Sequence, residues 1–93
     1  PGGMGPQAMG ESDPVAGWWI GPNPTRGGLF VAMPGINGLF AVDLLDLRGR
    51  QLRSEEGSTS GTVELDLHGL AAGTYLVHVR SDGLHKTFRL VRE

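Results

Sequence analysis

Cysteine is absent from all 93 residues. That excludes a disulfide framework, a thiolate nucleophile and any cysteine-ligated metal. It leaves the compartment open, since exported domains without cysteine are common. No apolar run approaches the ~20 residues needed to cross a bilayer, so no direct membrane span is expected. Charge of one sign is also lacking: the formal net charge is −2, which gives no steering toward nucleic acid or an anionic surface. Apolar spacing of the i, i+3, i+4 kind that would mark a helix is missing throughout. The sequence begins at Pro1 without a secretory leader pattern, so it is expected to be a fragment or processed piece of a longer protein, with any export leader lying outside it.

What remains points to short strands and tight turns, with 16 glycines and an apolar content sufficient for one small core. Residues 1–17 are rich in glycine and proline without periodicity, and read as a flexible linker, native or introduced. Trp18-Trp19-Ile20 is the first ordering stretch, a short strand that buries one tryptophan and leaves the other outside. Gly21 to Gly28 carries two prolines and cannot be regular structure. Leu29–Met33 reads as a strand, Pro34 to Gly38 as turns, and Leu39–Leu47 as a strand with Phe40, Val42 and Leu44 on one face. Leu47-Arg48-Gly49-Arg50 reads as a hairpin loop with Gly49 in the left-handed region, Gln51–Ser54 as its return strand, and Glu55–Ser60 as a polar loop.

The last third alternates most clearly. Val63, Leu65 and Leu67 face inward from one strand, and Tyr75, Val77 and Val79 from the next. Asp82-Gly83 is a two-residue hairpin signal, because such turns need positive φ. Phe88 and Leu90 then alternate along a returning strand. About seven short strands with turns between them predict an all-β, immunoglobulin-like sandwich of antiparallel strands.

Four stretches stand in a particular order: Pro22-Asn23-Pro24-Thr25; Val42 to Arg50; Leu67 to Val79, with Gly73 and Tyr75; and Lys86 to Glu93. Together they resemble the C-terminal sorting domain of the type IX (Por) secretion system, type A, over residues 18–93. The resemblance implies a non-enzymatic signal domain without cofactor or metal, attached behind an N-terminal cargo domain. It implies export through the periplasm and across the outer membrane by the type IX translocon, with an outer-membrane shuttle protein and a cell-surface sortase as further partners. The sortase would remove the domain, leaving the cargo on the cell surface or released outside.

Carried over position by position, the resemblance assigns Pro22, Asn23 and Pro24 to its first motif, and Asp46 and Gly49 to its central hairpin. Gly73 and Tyr75 match its Gly-x-Tyr, and Lys86, Leu90, Val91 and Arg92 its basic-aliphatic ending, beside which Arg89 and Glu93 complete the segment expected to be recognised. The sequence departs from the pattern at Leu45, where an aromatic is common, at Ala71-Ala72, where a proline often precedes the glycine, and at Arg92-Glu93, where lysine is frequent.

Each motif also has a purely structural reading. Pro22-Asn23-Pro24 serves as a rigid turn. Asp46 bonds loop amides beside Gly49. Tyr75 is a core or corner residue whose hydroxyl finds backbone. Those structural readings are preferred for the first three motifs. For the basic final segment (Arg80, Lys86, Arg89 and Arg92), recognition is preferred over a solvated face, since a strand edge is a natural grip for a partner. His68, His78 and His85 have no metal-ligand spacing, and no nucleophile has a defined place beside Glu64, Asp66 and His68. The alternative function is an accessory immunoglobulin-like module of a secreted hydrolase, acting as a spacer or binding carbohydrate. Trp18-Trp19 motivates that reading weakly, because adjacent strand residues do not share a face.

Overall fold

In the computed structural model, which describes residues 15–93, seven strands and no helix are found among the described residues. They are β1 (Trp19–Gly21), β2 (Gly28–Ala32), β3 (Gly38–Leu45), β4 (Gln51–Thr59), β5 (Thr62–Asp66), β6 (Gly73–Ser81) and β7 (Leu84–Arg92). They form two antiparallel sheets, ordered β1-β2-β5 and β4-β3-β6-β7. This is a β-sandwich of the immunoglobulin-like kind, with β4 pairing β3. The linker expected over residues 1–17 lies outside the described residues as far as residue 14. Val15–Trp18 forms a turn closed by the Trp18 amide on the Val15 carbonyl at 3.1 Å, and Val15 packs on the core.

Alternation explains the packing. The register places Leu29 beside Leu65 and Val31 beside Val63 in the small sheet. In the large sheet it places Val42 beside Val79, Leu44 beside Val77, and Tyr75 beside Leu90. These side chains are buried, and with Met33, Leu67 and Trp18 they make one continuous core between the sheets. Each fully buried aliphatic side chain stabilises the fold by about 1.5–3 kcal/mol relative to exposure. One tryptophan is buried and the other is not, as expected, but the strand is shifted by one residue: β1 runs Trp19–Gly21, and Trp18, which closes the turn from Val15, is 3% exposed against 53% for Trp19. The indole N–H of Trp18 has no hydrogen-bond partner among the described residues.

Two expected boundaries are corrected. Glu55–Ser60 is not a polar loop: β4 runs unbroken from Gln51 to Thr59. Its position explains why pattern failed, since β4 is an edge strand exposed over most of its length. Its order comes from the ladder to β3 rather than from an apolar face, and polar residues suit that setting. Phe40 lies opposite Gly57, whose missing side chain leaves room for the phenyl ring 3.5 Å from where a Cβ would stand. At the other boundary, β3 stops at Leu45 instead of Leu47, because the pairing with β4 slips at Leu44/Leu45 and Asp46 then starts the turn.

The turns behave as the residues dictate. Asp82 and Gly83 both have positive φ, 56° and 77°, which makes the β6–β7 connection a type I′ turn whose twist matches the flanking strands. The Tyr75 hydroxyl donates to the Ala71 carbonyl, four residues upstream. This is the corner that immunoglobulin-like sandwiches build near the start of this strand.

Candidate recognition site

The two-residue turn makes Ser81 and Leu84 a hydrogen-bonded pair, so the even-numbered residues of β7 bond to β6. The odd-numbered ones therefore direct their N–H and C=O groups away from the sheet. β7 is the outermost strand, so these groups form an edge. The lower half of that edge is covered by the Pro-Asn-Pro-Thr segment. The Asn23 side chain donates from Nδ2 to the Arg89 carbonyl at 2.8 Å, and its Oδ1 accepts the Val91 amide at 3.0 Å. One side-chain amide thus takes the place of a backbone peptide unit. Thr25 continues as a parallel bridge opposite Arg92: its amide donates to the Val91 carbonyl at 2.9 Å, and its carbonyl accepts the Glu93 amide at 2.8 Å.

Thr25 is itself fixed. It is 1% exposed, and its hydroxyl donates to the Gly28 carbonyl and accepts the Gly27 amide at 3.3 Å. Arg26 adds an exposed ion pair to Glu93 at 3.3 Å, a contact worth little in solvent. The peptide bonds preceding Pro22 and Pro24 are both cis. Residues 22–25 and 89–93, far apart in sequence, therefore form one structural unit. Pro22, Asn23, Pro24, Arg89, Val91, Arg92 and Glu93 come together there, with Leu90 fully buried beneath them.

The basic residues of the last hairpin are less free than the sequence suggested. Arg80 donates to Asp43 at 2.8 Å, while Ser54 holds the other Asp43 oxygen at 3.1 Å. Arg92 donates to the Leu67 carbonyl at 3.4 Å and also to the Glu93 carbonyl. Lys86 turns beneath the sheet, its ammonium 3.5 Å from the Val15 carbonyl and 5.2 Å from the Phe88 ring centre. Of these four cationic side chains, the Arg89 guanidinium alone makes no hydrogen bond or ion pair among the described residues, and it is exposed.

Asp46, Gly49, Gly73 and Tyr75 are not part of this edge. Asp46 Oδ1 accepts the Arg48 and Arg50 amides, each at 2.9 Å, and Oδ2 meets the Arg50 guanidinium at 3.1 Å. The Arg50 amide bond, helped by the Arg48 amide and the guanidinium charge, holds the Asp46 carboxyl below its ordinary value. Gly49, at φ 88°, closes the same loop, whose amide bonds back to the Asp46 carbonyl at 3.0 Å. Gly73 starts β6 opposite Arg92, and Tyr75 faces the core.

Asp66 accepts the His68 amide at 2.9 Å and contacts its ring Nδ1 at 2.6 Å, and these, the amide foremost, hold the Asp66 carboxyl below its ordinary value. Among the described residues no group of three or more His, Cys, Asp or Glu side chains is arranged to hold a metal. On the outer face of the small sheet, Trp19 lies against Gly21, with ring atom Cζ3 3.0 Å from where a Cβ would stand. Gly21 pairs with Phe30, so two exposed aromatic side chains share that face.

Sequence reasoning missed Thr25 and the joining of the first motif to the last strand. The available signal was a lone threonine between two prolines and two glycines, a segment with no ladder partner of its own.

No curated protein matches the chain. Among protein families, residues 20–93 match the secretion system C-terminal sorting domain. That stretch holds the complete sandwich from Ile20 onward, including both halves of the β7 edge and the residues that cover it. The chain therefore belongs to the family of C-terminal sorting domains of type IX secretion, whose signal implies export to the cell surface or beyond.

Proposed function

We propose that residues 18–93 act as the address that the type IX translocon reads on an attached cargo, and that the reading requires β7 to be held in the sheet. The observation carrying this is the clasp: the Pro-Asn-Pro-Thr segment spends its hydrogen bonds on Arg89 to Glu93. A turn that served only to join linker and sandwich would not need to grip that strand. Recognition falls on the clasped surface and the exposed Arg89 beside it, with Lys86, Leu90 and Arg92 setting the strand's position from beneath. Asp46, Gly49, Gly73 and Tyr75 act at a distance, by building the loop and corner that hold β3 and β6.

After passage through the periplasm and outer membrane, a shuttle protein delivers the domain to a sortase, which cuts in the residues preceding Trp18 and leaves the cargo at the surface or released. No part of this work needs catalysis by the domain itself. The test is a fusion of residues 15–93 to an exported reporter in a strain with a working type IX system. The intact domain places the reporter outside the cell. A copy lacking residues 86–93 leaves it in the periplasm, as does the milder Arg89→Glu/Arg92→Glu pair. Equal export of all three would defeat the proposal.

The shared outer face of Trp19 and Phe30 favours one second reading, a carbohydrate-binding accessory module. Soluble-glycan binding abolished by Trp19→Ala, with no export of the fusion, would select it instead.

A further inference from the structure

The clasp covers only half of the β7 edge. Below, the Arg89 carbonyl, both backbone groups of Val91 and the Glu93 amide are taken by Asn23 and Thr25. Above, the outward N–H and C=O groups of His85 and Thr87 and the outward amide of Arg89 bond to nothing among the described residues. Burial follows the same division. Leu90, under the clasped half, is fully buried, whereas Phe88 and Leu84, under the open half, are only half-buried. The β7 edge is thus covered along its lower half and open along its upper half, where the apolar side chains beneath it are less buried.

Open edges are guarded in several ways, among them charged side chains, proline, bulges and a covering segment. On the open half of β7 there is no proline or covering segment among the described residues, and the one lysine, Lys86, lies on the inner face, its ammonium engaged by the Val15 carbonyl and the Phe88 ring. The edge has also shown what it accepts. Immediately below, an extended segment running parallel to β7 is already seated on it.

We propose that the open half of the β7 edge, His85 to Arg89, is a strand-addition site for an extended segment of a protein of the secretion machinery, continuing the line of the clasp. This rests on the sorting reading given above. Main-chain bonds to His85 and Thr87 supply the pairing, and side chains set the preference. On the outer face the incoming strand meets His85 and Arg89, which favours acidic residues. On the inner face it covers Phe88 and Leu84, which favours apolar ones. The fitting partner is a short segment that alternates acidic and apolar residues.

Proline at an outward position removes one edge amide and leaves the bonds to β6 untouched. The test therefore uses reporter fusions of the intact domain, Thr87→Pro and Thr87→Val, with thermal melts and sedimentation of the corresponding 93-residue chains. Thr87→Pro is expected to melt as the parent does and to lower the exported fraction by about two- to tenfold, while Thr87→Val exports normally. Should Thr87→Pro fail to fold, His85→Pro deletes a second outward amide and is held to the same outcome. Export of a folded proline variant at the parental level overturns the strand-addition site while leaving the sorting reading intact. Failure of the parental fusion itself overturns both. A parental dimer that the proline variant abolishes, with export unaffected, assigns the edge to a second copy of the chain and overturns the proposed partner.

Discussion

Replacing Asn23 by alanine removes the side chain that stands in for a peptide unit on β7. Two hydrogen bonds are lost, one from Nδ2 to the Arg89 carbonyl and one from the Val91 amide to Oδ1. Each such bond contributes about 0.5–1.5 kcal/mol net. Because the site is exposed, water replaces part of what is lost, and the summed cost should be about 1–2 kcal/mol. In a domain of this size that corresponds to a fall in melting temperature of roughly 5–15 °C. The local effect is sharper than the global one. Hydrogen exchange at the Val91 amide should accelerate by a factor of roughly 5–30 beyond any change at the Leu90 amide, which belongs to the β6 ladder. The assay is amide exchange by NMR on the purified chain, with a calorimetric melt on the same sample. An Asn23→Ala chain that melts with the parent and keeps its Val91 protection would refute the clasp as a source of order in β7.

Tyr75→Phe should cost about 0.5–1.5 kcal/mol in denaturant unfolding, since only the corner bond to the Ala71 carbonyl is removed and the ring stays buried. A null effect would mean that the corner is not a stabilising contact. Asp46 gives a pH dependence of known sign. Its folded carboxyl titrates below the ordinary 3.8, so its contribution is present above that value and fades as pH falls through the lower folded value. The stability difference between the parent and Asp46→Asn should therefore shrink as pH drops below 3.8, when melts are followed by circular dichroism. A difference that grows on acidification would contradict the loop geometry.

Legibility in the sequence tracked how local each cause was. The β6–β7 hairpin was readable because two alternating strands flank an Asp-Gly turn, and all of its determinants lie within twenty or so residues of one another. The Asp46 loop was readable for the same reason. The far end of β4 was not, because an edge strand with polar residues on both faces carries no hydrophobic period, and only its partner β3 reveals it. Which tryptophan is buried was equally hidden: the alternation says that one must be, and the packing of the sheets picks Trp18. The clasp is the extreme case. The residues bonded to Asn23 lie 66 and 68 positions away, and nothing local to Pro22-Asn23-Pro24 hints that the asparagine holds another strand. Likewise, the basic final segment suggested an open positive edge, whereas long-range partners such as Asp43 and the Leu67 carbonyl engage most of those cations.

The most direct test of the central claim is the location of a reporter carrying residues 15–93, measured in otherwise identical cells with and without a working type IX translocon. The account predicts reporter outside the cell in the first and confined to the periplasm in the second. Reporter retained in both strains, or exported from both, would contradict it.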